Sequence, residues 1–168
     1  VKVYDRKIDL HGILVIDNTA RGPGKGGIRM TPTVTVEEVF RLARTMTWKN
    51  AMAEIPFGGA KSGIIANPKE MTLEKKELLI KSFSRAIKPF VPKLYIAGPD
   101  VNTGEREMKW FAEANGSLKS CTGKPREMGG LPHELGSTGY GVAIATKIAT
   151  KSRRIKLEES TVAIQGFG

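Results

Sequence analysis

Residues 35–63, TVEEVFRLARTMTWKNAMAEIPFGGAKSG, join a strongly patterned helix to a glycine-rich segment that carries a lysine. Thr35 and Glu38 form the S/T-x-x-E capping box that starts many helices. Apolar side chains then recur at helical spacing for about four turns, and Pro56 ends the pattern. The sequence therefore predicts an amphipathic helix that leads into a glycine-lysine loop at 58–63.

The segments before this helix have strand and loop patterns. Residues 8–17 are apolar and β-branched, which predicts a strand, or a hairpin with its turn at His11-Gly12. Residues 20–27, ARGPGKGG, predict a loop because glycine and proline interrupt regular structure. Residues 28–30 follow as a short strand.

The segments after the helix continue this alternation. A second helix is predicted from about Thr72 to Pro89 and a third over about 104–115, with a short strand at 94–97 between them. After a mostly irregular stretch at 116–136, Ser137 or Thr138 is predicted to cap a fourth helix that reaches about Lys151. Strands alternating with helices predict an α/β fold in which helices flank a sheet.

The last residues have the pattern of a different domain. Residues 161–164 are of the buried-strand type and run into Gly166-Phe167-Gly168, and a strand running into Gly-x-Gly is how a dinucleotide-binding unit opens. We therefore expect residues 1–158 to form one domain. Residues 159–168 are then the first strand and the start of the glycine-rich turn of a second, dinucleotide-binding domain.

Length and composition are those of a soluble globular protein. The chain has 168 residues, of which 40% are hydrophobic and 26% charged, enough for a domain with a substantial core. No apolar stretch approaches the roughly 20 residues of a membrane span, and the N-terminus has no secretory signal pattern. The single cysteine, Cys121, allows no intrachain disulfide, so we expect a cytoplasmic location.

The net charge of +10 allows two explanations. Nucleic-acid binders often cluster Lys and Arg in a patch or stripe. Here basic residues are spread along the chain and interleaved with acidic ones, apart from short clusters such as that at 151–154. A small anionic substrate explains the charge as well as nucleic acid does, and composition alone does not decide between them.

Three lysines and one aspartate are the candidates for chemistry. Lys25 and Lys61 lie among glycines, which let a ligand approach the backbone and leave an ammonium group uncovered. Lys49 lies near the end of the first predicted helix. Asp100 follows Gly98-Pro99 at the C-terminal end of a predicted strand, where α/β sheets place their sites, although it could instead cap the next helix.

Several other kinds of site are excluded by their sequence requirements. The phosphate-binding P-loop needs the pattern G-x-x-x-x-G-K-[ST]. Around Lys61 both glycine positions hold other residues, and Lys25 is followed by Gly26 where Ser or Thr is required. The two histidines, His11 and His133, lie in no cluster of metal-ligand type, so no metal site is predicted. The chain also lacks a nucleophile-elbow motif for serine hydrolysis.

Five motifs together resemble the Glu/Leu/Phe/Val dehydrogenase superfamily and, within it, the glutamate dehydrogenases. They occur in the family's order and spacing, including 12 residues from Lys49 to Lys61, and the resemblance covers about residues 9–168. The motifs are GPGKGGIRM at 22–30, MTWKNA at 46–51, IPFGGAKSG at 55–63, GPDVNT at 98–103 and STGYGV at 137–142.

The resemblance implies oxidative deamination of L-glutamate to 2-oxoglutarate and ammonium, with hydride transfer to NAD or NADP. It also implies a homo-oligomer, commonly a hexamer, with no nucleic-acid or membrane partner. By this resemblance, Lys25 contacts the side-chain carboxylate of the substrate and Lys49 contacts its α-carboxylate. Lys61 is the catalytic lysine, and Asp100 is the aspartate that transfers protons. Gly58 and Gly59 form the floor under the substrate, and Thr138, Gly166 and Gly168 contact the cofactor.

The chain departs from the family pattern at two positions. Ser62 follows the catalytic-type lysine where many members have glycine, and Glu134 stands where many have arginine, which puts that part of the cofactor contact in doubt. The remainder of the nucleotide-binding half and a second contact to the side-chain carboxylate are missing from this sequence. We therefore expect no turnover of glutamate by these 168 residues alone.

Two alternatives stay open. A leucine, valine or phenylalanine dehydrogenase would share Lys61 and Asp100, but such members lack a cation at position 25, because an apolar side chain needs none. A non-catalytic basic module for nucleic acid or assembly would bind with a steep salt dependence. The residue that discriminates NAD from NADP lies about 20 positions past the glycine turn, beyond Gly168.

Overall fold

The computed structural model describes residues 1–131 and 136–166. The chain divides into two compact units, Val1–Pro132 and His133–Gly168. Most of the sites discussed above fall in the first unit. Glu134 and Gly168, which the sequence singled out, lie outside the described residues.

The first unit is a six-stranded mixed sheet with three main helices. The strand order is β1-β2-β5-β3-β6, and β4 also pairs with β5. Strand β2 is antiparallel to both of its neighbours, β1 and β5. Strands β3 and β4 run parallel to β5, and β6 runs parallel to β3. The elements are β1 (Lys2–Asp5), β2 (Leu10–Asn18), β3 (Gly24–Lys25), β4 (Ile28–Thr31), α1 (Val36–Met52), β5 (Gly58–Ile65), α2 (Leu73–Ala86), β6 (Tyr95–Ile96) and α3 (Glu105–Asn115). The predicted α/β class, with helices flanking a sheet, is confirmed.

The central strand β5 separates two layers, because its side chains alternate between the sheet faces. Ala60 and Ile64 pack into the main core with residues of α2 and α3. A side chain on Gly59 would instead meet Thr47 of α1, and one on Gly63 would meet the side chains of Val34 and Val39. Helix α1 therefore covers one face of the sheet, and α2 and α3 cover the other.

The helix starts follow the sequence signals closely. Thr35 Oγ1 accepts a hydrogen bond from the Glu38 N–H at 3.2 Å and caps α1. The Glu38 carboxylate does not complete the predicted box but accepts from Arg29 at 2.6 Å. Thr72 caps α2 in the same way, and α3 begins after Gly104, so the second and third predicted helices and the short strand before α3 are confirmed.

Three predictions about the first unit were wrong. No turn occurs at His11-Gly12, because β2 runs straight through these residues and the turn lies at 6–9. Within the predicted loop at 20–27, residues Gly24–Lys25 form β3. The predicted glycine-lysine loop at 58–63 is instead part of β5, the centre of the sheet.

The glycines of β5 are explained by close backbone contacts. A Cβ atom on Gly58 would lie 1.9 Å from the Asn18 carbonyl oxygen, and one on Gly59 would lie 2.0 Å from Thr47 Oγ1. Glycine is usually depleted in strands, but it is selected where another backbone approaches closely. The glycine content of residues 58–63 therefore predicted a loop, although these residues belong to strand β5.

The second unit contains one long helix, α4 (Ser137–Ser152). The residue at its N-cap position is Gly136, with φ of 64° and no side-chain cap, so the predicted capping by Ser137 or Thr138 was wrong. Residues 161–166 form no strand and are exposed, because no neighbouring strand in the described part of the chain pairs with their backbone. The assignment of 159–168 to a second domain stays a prediction.

No helix within residues 1–131 and 136–166 is both long and apolar enough to cross a bilayer.

We predict that Gly59→Ala destabilises the protein by about 3 kcal/mol, because the new methyl group must push α1 away from β5. Gly139→Ala is the matched control, since no atom lies within 4 Å of its added Cβ and alanine favours the helix. Thermal unfolding of both full-length variants checks this. An equal midpoint for Gly59→Ala and the parent protein would contradict the close packing of α1 on β5.

Candidate functional site

Lys61 and Asp100 form an ion pair on the face of the sheet that α1 covers. Lys61 Nζ lies 3.0 Å from Asp100 Oδ2, and Lys61 as a whole is only 7% exposed. Arg29 Nε donates to the same carboxylate oxygen at 3.1 Å, while its Nη1 atom donates to Glu38 at 2.6 Å. Asp100 is thus held between two cations.

These cations decide the charge of Asp100. Burial by itself would raise the pKa of this carboxyl group, but the positive charge of Lys61 and the hydrogen bonds from Lys61 and Arg29 outweigh burial and lower the pKa below its ordinary value. Asp100 is therefore ionised at neutral pH, and it is a hydrogen-bond acceptor in this state.

The backbone around Asp100 is fixed by Thr103 and by Gly27. The Asp100 N–H donates to Thr103 Oγ1 at 2.9 Å, and that hydroxyl donates to the Ile28 carbonyl of β4 at 2.7 Å. A Cβ atom on Gly27 would lie 2.8 Å from Asp100 Cβ, so glycine is required for this approach. Asp100 lies beyond the end of β6, as predicted, and Gly104 rather than Asp100 caps α3.

Lys25 is a second cation of the site and is partly buried. Its ammonium group donates to the Ala97 carbonyl at 2.8 Å. Burial lowers the pKa of Lys25 to about 8; the Cys121 side chain opposes this shift, and the charges of three further lysines add to it. Those lysines are Lys61, Lys124 and Lys49. Four ammonium groups therefore act on one region.

Lys49 reaches this region from the last turn of α1, where its side chain is exposed. The end of α1 is fastened to β5 by the buried Asn50, whose side-chain amide donates to the Gly58 carbonyl. Thr47, one turn earlier, donates to the Asp17 carboxylate of β2. These bonds fix the helix end that carries Lys49.

Gly58 and Gly59 are buried, and protein atoms fill the space where their side chains would be. The structure thus shows their packing role, and the predicted contact with substrate stays a prediction. Ser62, the departure from the family pattern, points into the opposite layer, where its hydroxyl is 2.7 Å from Tyr95 Oη. Tyr95 in turn donates to the Gly26 carbonyl at 2.9 Å, so the serine supports the strand of Lys25 without touching Lys61.

Sequence reasoning missed two cations of the site. Arg29 was part of a quoted motif but received no role, and its two carboxylate partners are far apart in sequence. Lys124 is 8% exposed, and its ammonium group donates to the Cys121 carbonyl. Lys124 follows Gly123, and a lysine with glycine close by in sequence, as at Lys25 and Lys61, was the signal that could have identified it.

The predicted site residues fall into three groups. Lys25, Lys61 and Asp100 come together in the first unit, and Lys49 acts on the same region. Thr138 lies in the first turn of α4 and Gly166 has φ of 90°, and both belong to the second unit. Gly168 is outside the described residues. The described ranges contain no group of three His, Cys, Asp or Glu side chains suited to a metal ion.

This arrangement suits an anionic substrate and proton transfer. Lys25, Lys49 and Lys124 have no carboxylate partner among the described residues, in contrast to Lys61. Burying an unpaired ammonium group is unfavourable, so anionic ligand groups are the natural complement. The Lys61–Asp100 pair adds a hydrogen-bond donor and an acceptor at one place.

Comparison with protein families identifies relatives of this chain. A model described as Glu/Leu/Phe/Val dehydrogenase, dimerisation domain, matches residues 4–116. A glutamate dehydrogenase of Aeropyrum pernix is 42% identical over 158 residues, which are 90% of this chain and 38% of that protein. Other relatives are named NADP-specific or NAD-specific glutamate dehydrogenase.

Solved structures agree with the sequence relatives. A hetero-hexameric glutamate dehydrogenase from Thermus thermophilus, in a leucine-bound form, superposes with a TM-score of 0.88 and 32% identity over 95% of this chain and 40% of that one. An L-tryptophan dehydrogenase from Nostoc punctiforme gives 0.62 and 29% over 72% of this chain and 35% of that one. This chain thus spans less than half the length of these proteins.

We predict that Lys25→Met stabilises the fold at pH 7 by about 1–3 kcal/mol, because the folded state holds this ammonium group at an unfavourable, buried place. The folded pKa of Lys25, about 8, is below the unfolded value of 10.5, so the cost is fully present below pH 8 and disappears as the pH rises toward 10.5.

Thermal unfolding of the full-length variant at pH 7 and at pH 10 measures this difference. The exposed Lys93→Met is the matched control and should shift the midpoint little at either pH. A Lys25→Met protein that is less stable than its parent at pH 7 would show that Lys25 is not held at a cost.

Proposed function

The chain belongs to the Glu/Leu/Phe/Val dehydrogenase family, and on that basis we propose that it is the substrate-binding part of a glutamate dehydrogenase. The proposed reaction converts L-glutamate to 2-oxoglutarate and ammonium with hydride transfer to NAD or NADP. The observation that carries this proposal is the partly buried Lys25, a cation without a carboxylate partner in the described part of the chain, near the Lys61–Asp100 pair.

The two carboxylates of glutamate match two of the lysines. We assign the side-chain carboxylate to Lys25 and the α-carboxylate to Lys49. A carboxylate beside Lys25 would raise the pKa of this lysine from about 8 back toward its ordinary value. Binding a dicarboxylate therefore offsets the electrostatic cost of placing the Lys25 ammonium group there.

Lys61 and Asp100 supply the proton chemistry. When bound, the nicotinamide accepts the hydride from the substrate Cα. Water must then attack the iminium carbon, and Lys61 is placed to polarise that water and stabilise the developing oxyanion. Asp100, an ionised acceptor 3.0 Å from Lys61 Nζ, exchanges protons with the leaving amine. Arg29 orients Asp100 through its hydrogen bond and keeps it ionised.

Contacts to the cofactor are proposed for residues near the end of the chain. The φ of 90° at Gly166 favours glycine and is compatible with the tight turn that opens a dinucleotide-binding unit. Thr138 is exposed on the first turn of α4, where a side chain is free to meet the cofactor. Together with Gly168, these residues form the proposed contacts, and both NAD and NADP stay within the proposal.

The alternative within the family is a dehydrogenase for apolar amino acids. Lys61 and Asp100 serve that reaction equally well, but a partly buried cation at position 25 has no function toward a leucine, valine or phenylalanine side chain. A non-catalytic basic module would leave the burial of Lys61 and Lys124 unexplained. We therefore favour a dicarboxylate substrate over both.

Assembly into a homo-oligomer, commonly a hexamer in this family, belongs to the same proposal. The matched family description names a dimerisation domain, and apolar side chains are exposed at the end of α1, including Trp48 at 60% and Met52 at 85%. Large apolar patches of this kind often mark subunit contacts. The cytoplasmic location and the absence of nucleic-acid and membrane partners stay predictions.

We predict that Lys25→Leu in the full-length enzyme lowers kcat/KM for glutamate by about 100-fold, because a hydrogen-bonded ion pair with the substrate is lost. The loss on norvaline, which has no side-chain carboxylate, should be less than about fivefold. Steady-state oxidation of both amino acids with NAD and with NADP provides the comparison. Equal losses on the two substrates would show that Lys25 does not recognise the side-chain carboxylate of glutamate. A parent protein that is inactive with both NAD and NADP would refute the proposed function.

A further inference from the structure

The two oxygens of the Asp100 carboxylate have different surroundings. Lys61 Nζ, at 3.0 Å, and Arg29 Nε, at 3.1 Å, both contact the same atom, Oδ2. No side chain within residues 1–131 and 136–166 donates a hydrogen bond to the other oxygen, Oδ1, and the Asp100 side chain is 16% exposed. Oδ1 is therefore the oxygen that keeps lone pairs available for a proton.

The contact between Arg29 and Asp100 uses only part of the guanidinium group. Arginine commonly binds a carboxylate through two parallel N–H groups, one to each oxygen. Arg29 is within hydrogen-bond distance of Asp100, yet only its Nε atom donates to the carboxylate. Its Nη2 atom has no hydrogen-bond partner in the described part of the chain. Another contact of Arg29 must therefore keep the guanidinium group from turning toward Oδ1.

Glu38 supplies that contact. Its Oε1 atom accepts from Arg29 Nη1 at 2.6 Å, which is shorter than the bond from Arg29 to Asp100. The backbone of Glu38 is fixed as well, because this residue lies in the first turn of α1 and its N–H donates to Thr35 Oγ1. A rotation of the guanidinium group toward Oδ1 would break the charged hydrogen bond at Nη1. Glu38 thus opposes a two-point contact between Arg29 and Asp100.

The pairing of β4 with β5 brings Arg29 to this position. Arg29 lies opposite Gly63 in the register of the two strands, and Gly63 is on the same face of β5 as Lys61, two residues earlier. The guanidinium group can therefore reach Asp100 beside Lys61 and Glu38 at the start of α1. The three charged groups form a row in which Arg29 is the middle member.

We propose that Glu38 is a positioning residue, which holds Arg29 on a single oxygen of Asp100 and so keeps Oδ1 free to exchange protons with the substrate amine. This inference rests on the proposed function for the reaction itself. If Arg29 were released from Glu38, it would turn to donate to both oxygens of Asp100. A carboxylate that accepts charged hydrogen bonds at both oxygens is a weaker base, and its second oxygen is no longer open to the substrate.

The kinetic test uses two variants of Glu38 in the full-length enzyme. Glu38→Met keeps the length of the side chain but loses the carboxylate acceptor, whereas Glu38→Gln keeps an acceptor oxygen for Arg29. Glu38→Met should lower kcat for glutamate by about tenfold and change the affinity for 2-oxoglutarate by less than about threefold, because only proton transfer is impaired. Glu38→Gln should restore kcat to within about threefold of the parent.

Glu37→Met is the matched control for the loss of charge. Glu37 lies on the same turn of α1 and pairs with Arg41 at 2.6 Å, but both of these side chains are exposed. The kcat of Glu37→Met should equal that of the parent. An unchanged kcat in Glu38→Met, an equal loss in Glu37→Met, or no rescue by glutamine would each overturn the inference.

A double variant tests whether Glu38 acts through Arg29. The kcat of Arg29→Met/Glu38→Met should lie within about twofold of that of Arg29→Met, because Glu38 has nothing to hold once the guanidinium group is gone. Losses that multiply in the double variant would show that Glu38 acts by another route, and they would overturn the inference.

Crystal structures of the full-length variants separate this inference from the proposed reaction. Glu38→Met should show Arg29 donating to both oxygens of Asp100, whereas Glu38→Gln and Glu37→Met should keep the single contact at Oδ2. If the parent oxidises no amino acid but the structures show this change, the proposed function fails and the orienting role of Glu38 stands. If Arg29 stays on Oδ2 alone in Glu38→Met, the inference is overturned, whatever the activity of the protein.

Discussion

The alternation of side chains along β5 (Gly58–Ile65) is the constraint on which the site depends. Successive residues of a strand point to opposite faces, so a strand whose Ala60 and Ile64 fill the main core must direct Lys61 to the α1 face. Gly59 allows α1 to lie directly on that face. The same strand thus fixes the core, the position of α1 and the direction of the central lysine.

The two layers explain why burial and charge coincide here. Lys61 is buried and is compensated by Asp100, whereas Lys25 is partly buried and makes only a carbonyl contact, at Ala97, within the described residues. Such a site is electrostatically unfavourable until an anion enters it. Stability is therefore given up at the place where we propose that a negatively charged substrate binds, which is a common relation between binding sites and fold stability.

Much of this fold could be predicted from sequence, and the reasons for the failures are physical. Helices α1 and α2 were found because Thr35 and Thr72 cap them by local hydrogen bonds. Strand β5 was missed because its glycines are required by close contacts with α1 and β2, and these elements are distant from β5 in sequence. Residues 161–164 look like a buried strand, but a strand needs partners for its backbone groups, and local pattern does not reveal whether they are present.

The candidate site, like the fold, could be predicted only in part from the sequence. Lys25, Lys61 and Asp100 were recognised from their motifs, and the structure brings them together. The partners of Arg29 and the burial of Lys124 could not be predicted, because both depend on how separate loops meet. The spacing of motifs thus locates candidate residues, while burial and pairing decide which charges are left for a ligand.

We propose that the Lys61–Asp100 pair carries the proton transfers of an amino-acid dehydrogenase. The most direct test is the steady-state kcat of full-length Asp100→Asn for glutamate oxidation, measured together with the affinity for 2-oxoglutarate. The asparagine keeps the size of the side chain but has no basic oxygen, so kcat should fall by about 10²–10⁴-fold, with a change in affinity of less than about tenfold. A kcat within a few fold of that of the parent enzyme would contradict the account.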